Sequence, residues 1–314
     1  MKVLKFGGTS VGSAARMMAL KSLISNGDKK IVVLSAMAGT TNSLLEISAA
    51  LKSGDQENAQ KISSSLRHKY QGVVNELFSD VASKNRVNDL INSCFDLVDR
   101  FSAGDFKPRD EKLVVAQGEL ISTSLFHLWL KETGTESVLL PALAFMRIDK
   151  DGEPDYYYIA ENLNRELLRH PDTDLFITQG FICRNSIGEV DNLRRGGSDY
   201  TASIIGAVMG VSEIQIWTDI SGFHNNDPRF VEGTSVIREL SFDEAAELAY
   251  FGAKILHPST MNPARERKIP VILKNTLEPD DPGTVIRSVT AYEDYKAVAA
   301  KDNITAIRIT SDRM

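Results

Sequence analysis

An α/β fold built on parallel strands is predicted by three observations. Short apolar runs recur at residues 1–6, 30–35, 175–178 and 213–217, each the length of a buried strand. Each ends in glycine, hydroxyl or polar residues. Most are followed by apolar residues at helical spacing, and strand–helix–strand units of that kind imply parallel pairs with right-handed crossovers.

The first unit sets the pattern. Val3-Leu4-Lys5-Phe6 reads as a strand and Gly7-Gly8 ends it, where the backbone can turn sharply or admit a ligand. Thr9 and Ser10 supply hydroxyls and a helix cap. Ala14, Met17, Leu20 and Ile24 recur at helical spacing. Backbone amides and a helix start after two glycines make a site for an anion, and Lys5 adds a cation at its mouth. A tight turn with a surface lysine would look the same in isolation.

Residues 30–35 are a second strand, entering Ala36-Met37-Ala38-Gly39-Thr40-Thr41-Asn42 and a helix with Leu44, Leu45, Ile47, Ser48 and Leu51 inward. Residues 55–105 break the alternation. Ile62, Leu66, Val73 and Leu77 form one helical stripe and Val87, Leu90, Cys94, Leu97 and Phe101 another, so an inserted helical hairpin is expected. Residues 112–130 form a long helix with Gly118-Glu119 at its middle. A mid-helix glycine costs about 1 kcal/mol relative to alanine and is tolerable where something packs closely or a ligand approaches. Glu119 is a candidate polar contact beside it.

Residues 137–140 read as a short strand with 144–148 pairing nearby, 161–169 as a helix, 175–178 as a strand and 183–193 as a hairpin. Arg194-Arg195-Gly196-Gly197-Ser198-Asp199 then opens an apolar helix over 204–209, a second glycine pair at a helix start. The strand at 213–217 leads into Thr218-Asp219 and a loop through Asp227. Ser241 and Glu244 have the spacing of a capping box, and 270–273 form a last strand entering Lys274. Ligands of open α/β sheets lie beyond the carboxyl ends of the strands, so these turns would share one edge.

Composition narrows the chemistry. A hydrophobic share of 42% and a charged share of 25% are those of an ordinary globule. The net charge of −6 advertises no basic face for nucleic acid. No apolar run reads as long enough to span a membrane. Two cysteines, Cys94 and Cys183, fit a reducing compartment, so a cytoplasmic location is expected. The five histidines show no metal-ligand spacing. No Walker A loop, dinucleotide fingerprint or nucleophile elbow occurs. Glycine turns, a few cations and sparse carboxylates on one edge suit phosphoryl transfer, where positioning and charge neutralisation do most of the catalysis.

The same residues resemble a known family. Val3 to Val11 is similar to the opening signature of the aspartate kinases, of the amino-acid kinase superfamily. Residues 35–42, Gln117-Gly118-Glu119, 178–182, 195–200, Trp217-Thr218-Asp219 with Asp227-Pro228-Arg229, and Phe251-Gly252-Ala253-Lys254 with His257-Pro258 resemble its later motifs in the same order. The resemblance implies a three-layer α/β/α sandwich with a mostly parallel central sheet. It implies transfer of the γ-phosphate of ATP, as Mg·ATP with Mg²⁺ bridging phosphates, to the side-chain carboxylate of L-aspartate. Lys5, Asp199 and Gly8 would be catalytic, with Lys5 neutralising the moving phosphoryl group and Asp199 orienting Lys5 or helping to organise the Mg²⁺ and phosphate. Thr41, Glu119, Arg195 and Ser198 would hold the amino acid. Gly7, Gly8, Ser10, Thr218, Asp219, His224, Asp227, Arg229 and Lys254 would hold the nucleotide. No protein metal ligands are implied.

Two positions depart from the family pattern: His224 stands where a tyrosine is usual, and Arg194 where a glycine is usual. Other carboxylate or carbamate kinases of the fold, such as glutamate 5-kinase-like enzymes, and a non-catalytic nucleotide sensor remain alternatives. Residues 1–290 are expected to form the catalytic domain. Residues 296–300 and 304–309 read as short strands, and 291–314 as a linker and the start of an ACT-type regulatory region. On that expectation the chain lacks a feedback site for lysine or threonine, and a homodimer would be weakened.

Overall fold

The structure is a computed structural model that describes residues 1–314 except 102–103, 194–195, 229, 252–255, 289–296, 301–304 and 306–314. The first unit is strand β1 (Lys2–Phe6) followed by helix α1 (Ala14–Ile24). The α1 cap is Ser13, whose hydroxyl accepts from Arg16 N, not Thr9 or Ser10 as expected. Residues 9–12 instead form tight turns, with Ser10 N and Val11 N bonded to Gly7 O. β2 (Lys30–Leu34) and α2 (Thr40–Ser53) follow. The inner face of α2 is as expected except for Leu45, which is 43% exposed because it lies one residue beyond the buried stripe.

The inserted hairpin is α3 (Gln56–Leu77) and α4 (Val81–Asp99). On α4 the buried residues are Val87, Ile91, Phe95 and Val98. The expected stripe through Leu90, Cys94 and Leu97 is one residue off, because Phe95 is the side chain that meets Tyr70 of α3; Cys94 and Phe101 pack partly buried at the margin of the core. The long helix α5 (Pro108–Glu132) is, against the expectation, long and apolar enough to cross a membrane by length and composition. Yet 78% of its apolar window is buried inside the fold, which makes it the central core helix.

Next come β3 (Val138–Leu140), the single-turn α6 (Ala142–Phe145), α7 (Tyr156–Leu168) and β4 (Leu175–Gln179). Residues 144–145 are helical, and only isolated bridges at Arg147 and Ile148 answer the pairing expected there. α7 begins five residues before the expected start, because Asp155 caps it by accepting from Tyr158 N at 3.0 Å. The hairpin β5 (Ile182–Arg184) and β6 (Val190–Asn192) is where the polar loop predicted it. α8 (Gly197–Met209) starts at the glycine pair, and β7 (Ile214–Thr218) follows. β8 (Glu239–Ser241), α9 (Phe242–Phe251), a 3₁₀ turn (Pro258–Met261), α10 (Asn262–Glu266), β9 (Val271–Asn275) and β10 (Thr284–Arg287) complete the described elements. β8, the edge strand, and β10 beside it are short, with no alternation long enough to be seen in sequence. Of the C-terminal strands expected, residues 297–300 are not in a strand, and 304–309 lie, apart from Thr305, outside the described residues.

Eight of the ten described strands form one sheet in the order β3-β4-β2-β1-β7-β9-β10-β8, and β5 and β6 pair apart from it. All neighbours pair parallel except β10 with β9. Each face carries a core. Leu4, Phe6, Val32, Leu34, Leu175 and Ile177 pack under α1 to α5. Val3, Ile31, Val33, Phe176, Ile214 and Ile216 pack against α7, α8 and α10. Strands buried on both faces read as continuous apolar runs, which is why residues 30–34 were legible. The three-layer α/β/α sandwich is therefore the observed architecture.

One buried charge serves the scaffold. Lys30 is 1% exposed at the amino end of β2. Its ammonium donates to Ile24 O at 2.8 Å and to Asn26 Oδ1, closing the carboxyl end of α1, where carbonyls otherwise lack partners. Burial lowers its pKa.

Candidate active site

Alternation along β1 decides where its lysine points. Leu4 and Phe6 face the α1–α5 side, so Lys5 shares the face of Val3 and is directed at α8. There its Nζ lies 2.8 Å from Asp199 Oδ1, with the two side chains 12% and 14% exposed. Asp199 Oδ1 is buried yet accepts no hydrogen bond. The contact is thus a charge pair out of hydrogen-bond alignment.

Glu119 comes from the middle of α5. The glycine before it answers a packing need: a Cβ at Gly118 would stand 2.9 Å from Ala36 Cβ and 3.1 Å from Thr40 Cγ2. That close approach lets Glu119 reach the β2–α2 turn, where its Oε1 accepts from Ala36 N at 3.2 Å. Its Oε2 is buried with no partner. Burial pushes the Glu119 carboxyl up to about 8, and no ammonium or guanidinium among the described residues is hydrogen-bonded to it.

Lys5, Thr41, Glu119, Ser198 and Asp199 line one cleft of about 240 Å³ at the carboxyl ends of β1 and β2. Ser35, Phe181, Gly196 and Gly197 complete its wall. Two helices open onto this edge without side-chain caps. α2 is preceded by Gly39 (φ 82°) and α8 by Gly196 (φ 73°), both left-handed. The first amides of such helices lack intrahelical partners and favour an anion. A larger open hollow of about 540 Å³ lies at the opposite edge, walled by residues 207–212 and 267–270. It holds none of the residues singled out by the sequence.

The first glycine turn sits beside the cleft. A Cβ at Gly8 would be 2.8 Å from Ala36 O, so the turns after β1 and β2 touch through bare backbone. Gly7 N donates to Trp217 O at 3.4 Å. Ser10 is 1% exposed, and its hydroxyl lies 3.5 Å from Thr276 Oγ1. These two brace the turn against β7 and β9, while Gly8 and Thr9 donate no backbone hydrogen bond among the described residues.

The remaining expected residues form a second group, beyond the ends of β7 and β9. Thr218 donates to Asp219 Oδ1 at 3.1 Å, and its carbonyl accepts from Thr276 N at 2.8 Å. His224 is half-buried, its Nδ1 2.9 Å from Thr234 Oγ1. Asp227 O accepts from Phe230 N and Val231 N at 3.1 and 3.0 Å, turning the loop. None of these lines the cleft. β7 is the neighbour of β1, so the two groups adjoin along one sheet edge. Arg195, Arg194, Arg229 and Lys254 lie outside the described residues.

Sequence reasoning passed over Ser35 and Phe181. Phe181 takes a positive φ of 68°, held by its N–H to Thr201 Oγ1 at 2.9 Å. A Cβ at Gly197 would sit 2.5 Å from its ring. The signal for Phe181 was present as a Gln-Gly turn at a strand end, but nothing in sequence says which side chain leaves that turn toward the site.

Fold and cleft together define a member of the amino acid kinase family, and the chain belongs to that family, whose sequence profile matches residues 1–275. It is 34% identical over 317 residues to lysine-sensitive aspartokinase 3 of Escherichia coli, covering 99% of this chain and 70% of that protein. It is 35% identical to aspartokinase 1, chloroplastic, of Arabidopsis thaliana over 99% of this chain and 57% of that one. The crystal structure of E. coli aspartokinase III in complex with aspartate and ADP matches with a TM-score of 0.83 and 33% identity, over 93% of this chain and 65% of that chain. These relatives place the chain in the aspartokinase branch of the family.

Proposed function

We propose that this chain is the catalytic unit of an aspartate kinase, transferring the γ-phosphoryl group of ATP to the side-chain carboxylate of L-aspartate. The observation that carries this reading is that Lys5 and Glu119, from different elements, line one cleft. One offers a cation to a phosphoryl group and the other an unpaired carboxylate oxygen to an ammonium. The solved relative in complex with aspartate and ADP supports the same pair of ligands.

The chemistry follows from the groups present. The acceptor carboxylate is already ionised, so no general base is needed. One carboxylate oxygen forms the new bond to phosphorus as the bond to the ADP oxygen breaks. Lys5 neutralises charge on the transferring oxygens, and Asp199 holds the ammonium in place. The amides of Gly8, Thr9, Gly197 and Ser198 are fixed donors that need no reorganisation during the reaction. Glu119 takes the substrate ammonium, with Thr41 and Ser198 at the other end of the amino acid and Arg195 clamping a carboxylate in a fork that lysine cannot match. Thr218, Asp219, His224, Asp227, Arg229 and Lys254 contact the nucleotide, with Gly7 and Ser10 bracing its phosphate turn.

Magnesium enters as part of the Mg·ATP substrate, held by phosphate oxygens and water. Among the described residues no cluster of three or more His, Cys, Asp or Glu could bind it. Residues 1–290 act as the catalytic domain, with 291–314 leading toward an ACT-type region and a homodimer as the assembly. Free Cys94 and Cys183 suit a reducing, cytoplasmic setting. An ADP-release assay with Mg·ATP and aspartate, glutamate or carbamate tests the reading. Turnover on aspartate at least tenfold above the others is expected, and equal or absent turnover on aspartate refutes it.

A further inference from the structure

The turn between β2 and α2 is the meeting point of the site. Ala36 N anchors Glu119, Ala38 N donates to Gly8 O at 3.0 Å, and Thr41 lines the cleft. Within the turn, Thr40 N donates to Met37 O at 3.0 Å, and Ser43 N to Gly39 O at 3.1 Å. Gly39 sits at a left-handed φ of 82° with no side-chain cap on the helix it opens. A short turn of that kind has few bonds of its own to hold one geometry.

Two consecutive residues of the inserted hairpin supply the rest. Lys69 Nζ donates to Ala38 O at 2.6 Å and would stand 3.7 Å from a Cβ at Gly39. Tyr70 is fully buried, and its hydroxyl lies 3.0 Å from Thr40 Oγ1. The Tyr70 ring is held in turn by Phe95 of α4, with centroids 6.3 Å apart. One side chain grips the residue before Gly39, the other the residue after it. Neither lines the cleft.

We propose that Lys69 and Tyr70 are positioning residues, through which the α3–α4 hairpin fixes the β2–α2 turn and so sets the amino-acid side of the site. The insertion is then a brace for the site rather than a passive layer of scaffold. A turn free to shift would misplace the Ala36 amide and Thr41 together, and a misplacement of about 1 Å is enough to weaken a substrate contact severely. Lys69 is exposed, so its removal leaves the core intact, and Tyr70→Phe keeps the buried ring.

The inference rests on the proposed function, and two readouts keep the two apart. Steady-state kinetics of Lys69→Met and Tyr70→Phe should show KM for aspartate raised about fivefold or more, with kcat and KM for ATP within about twofold. Lys69→Arg, which restores a donor to Ala38 O, should return KM to within about twofold of the parent. Hydrogen exchange on the same proteins, which requires no turnover, should speed up at residues 36–41 and stay unchanged in β1 and α8. An unaltered exchange pattern at 36–41 in both variants overturns the proposal, as does a KM shift that Lys69→Arg fails to restore. If the parent protein does not act on aspartate, the proposed function falls, while the exchange measurement still decides the role of the hairpin.

Discussion

Glu119→Gln replaces an ionisable group by a neutral one of nearly the same shape, and burial strongly disfavours the charge of Glu119. The Glu119 carboxyl is raised from an ordinary 4.5 to about 8 by burial, relieved in part by the bond from Ala36 N and by its own backbone amide. The facing groups are the Tyr70 hydroxyl and the backbone; no ammonium or guanidinium among the described residues pairs with it. Two consequences have opposite signs. The first concerns stability. Between pH 4.5 and 8 the unfolded chain has lost this proton while the folded chain keeps it, so stability falls as pH rises through that window. The full rise corresponds to about 5 kcal/mol, an upper bound that local relaxation reduces. Glutamine carries no such term. Thermal melts should therefore find the variant close to the parent at pH 5 and more stable by several degrees at pH 8.

The second consequence concerns binding. A substrate ammonium needs the carboxylate, which is about 3% populated at pH 6.5 and about half populated at pH 8. Apparent affinity scales with that fraction, so KM for aspartate should fall about fifteenfold over this range while a proton is released on binding. In Glu119→Gln the KM is high and flat. A parent KM that does not change with pH, together with a constant difference in melting temperature between pH 5 and 8, would falsify the assignment of Glu119 as a buried acid awaiting a cation.

The other predictions concern the phosphate side and the scaffold. Lys5→Met should lower kcat by at least about 10²–10³-fold, the cost of losing one such charge-stabilising group, with the fold intact by circular dichroism; Asp199→Asn should cost less, because the ammonium remains. Equal losses in the two would mean that the pair acts as a structural unit. Gly8→Ala places a methyl 2.8 Å from Ala36 O, so kcat/KM for ATP should drop at least about tenfold and stability by about 1–3 kcal/mol; unchanged ATP kinetics would show that the two turns can part without consequence. Lys30→Met leaves Ile24 O without its donor, and denaturant melts should show a loss of about 1–3 kcal/mol with kinetics unaltered. A change in KM there would contradict its placement at the far end of the sheet.

The elements read most clearly in sequence were those whose burial is one-dimensional. Residues 30–34 are buried at every position and so announce themselves as a strand enclosed on both faces. Ala14, Met17, Leu20 and Ile24 mark the single buried face of α1. Glycine pairs mattered because bare backbone was needed at Gly8 and Gly197. Elements whose partners are remote were not legible. β8 and β10 are short and paired only at the sheet margin. The stripe on α4 was misplaced by one residue because its inward face is set by α3. Leu45 counted as inward by type alone, and only the limit of the neighbouring helices leaves it in water. α5 shows how composition misleads, since its apolar length is answered by core burial.

The catalytic place of Asp199 was implied by the resemblance to the aspartate kinases. By itself the sequence determined the alternation of strands and helices, the edge at which polar turns gather, and the candidate residues Lys5 and Glu119. Those follow from local periodicity and backbone chemistry, which act over a few residues. The tertiary structure decided that Lys5 meets Asp199 across 194 positions of chain, that Glu119 stands buried with one oxygen unpaired, and that Lys69 and Tyr70 hold the turn beside it. Such facts depend on which elements pack together, and packing is settled by shape and burial over the whole molecule rather than by any stretch of it.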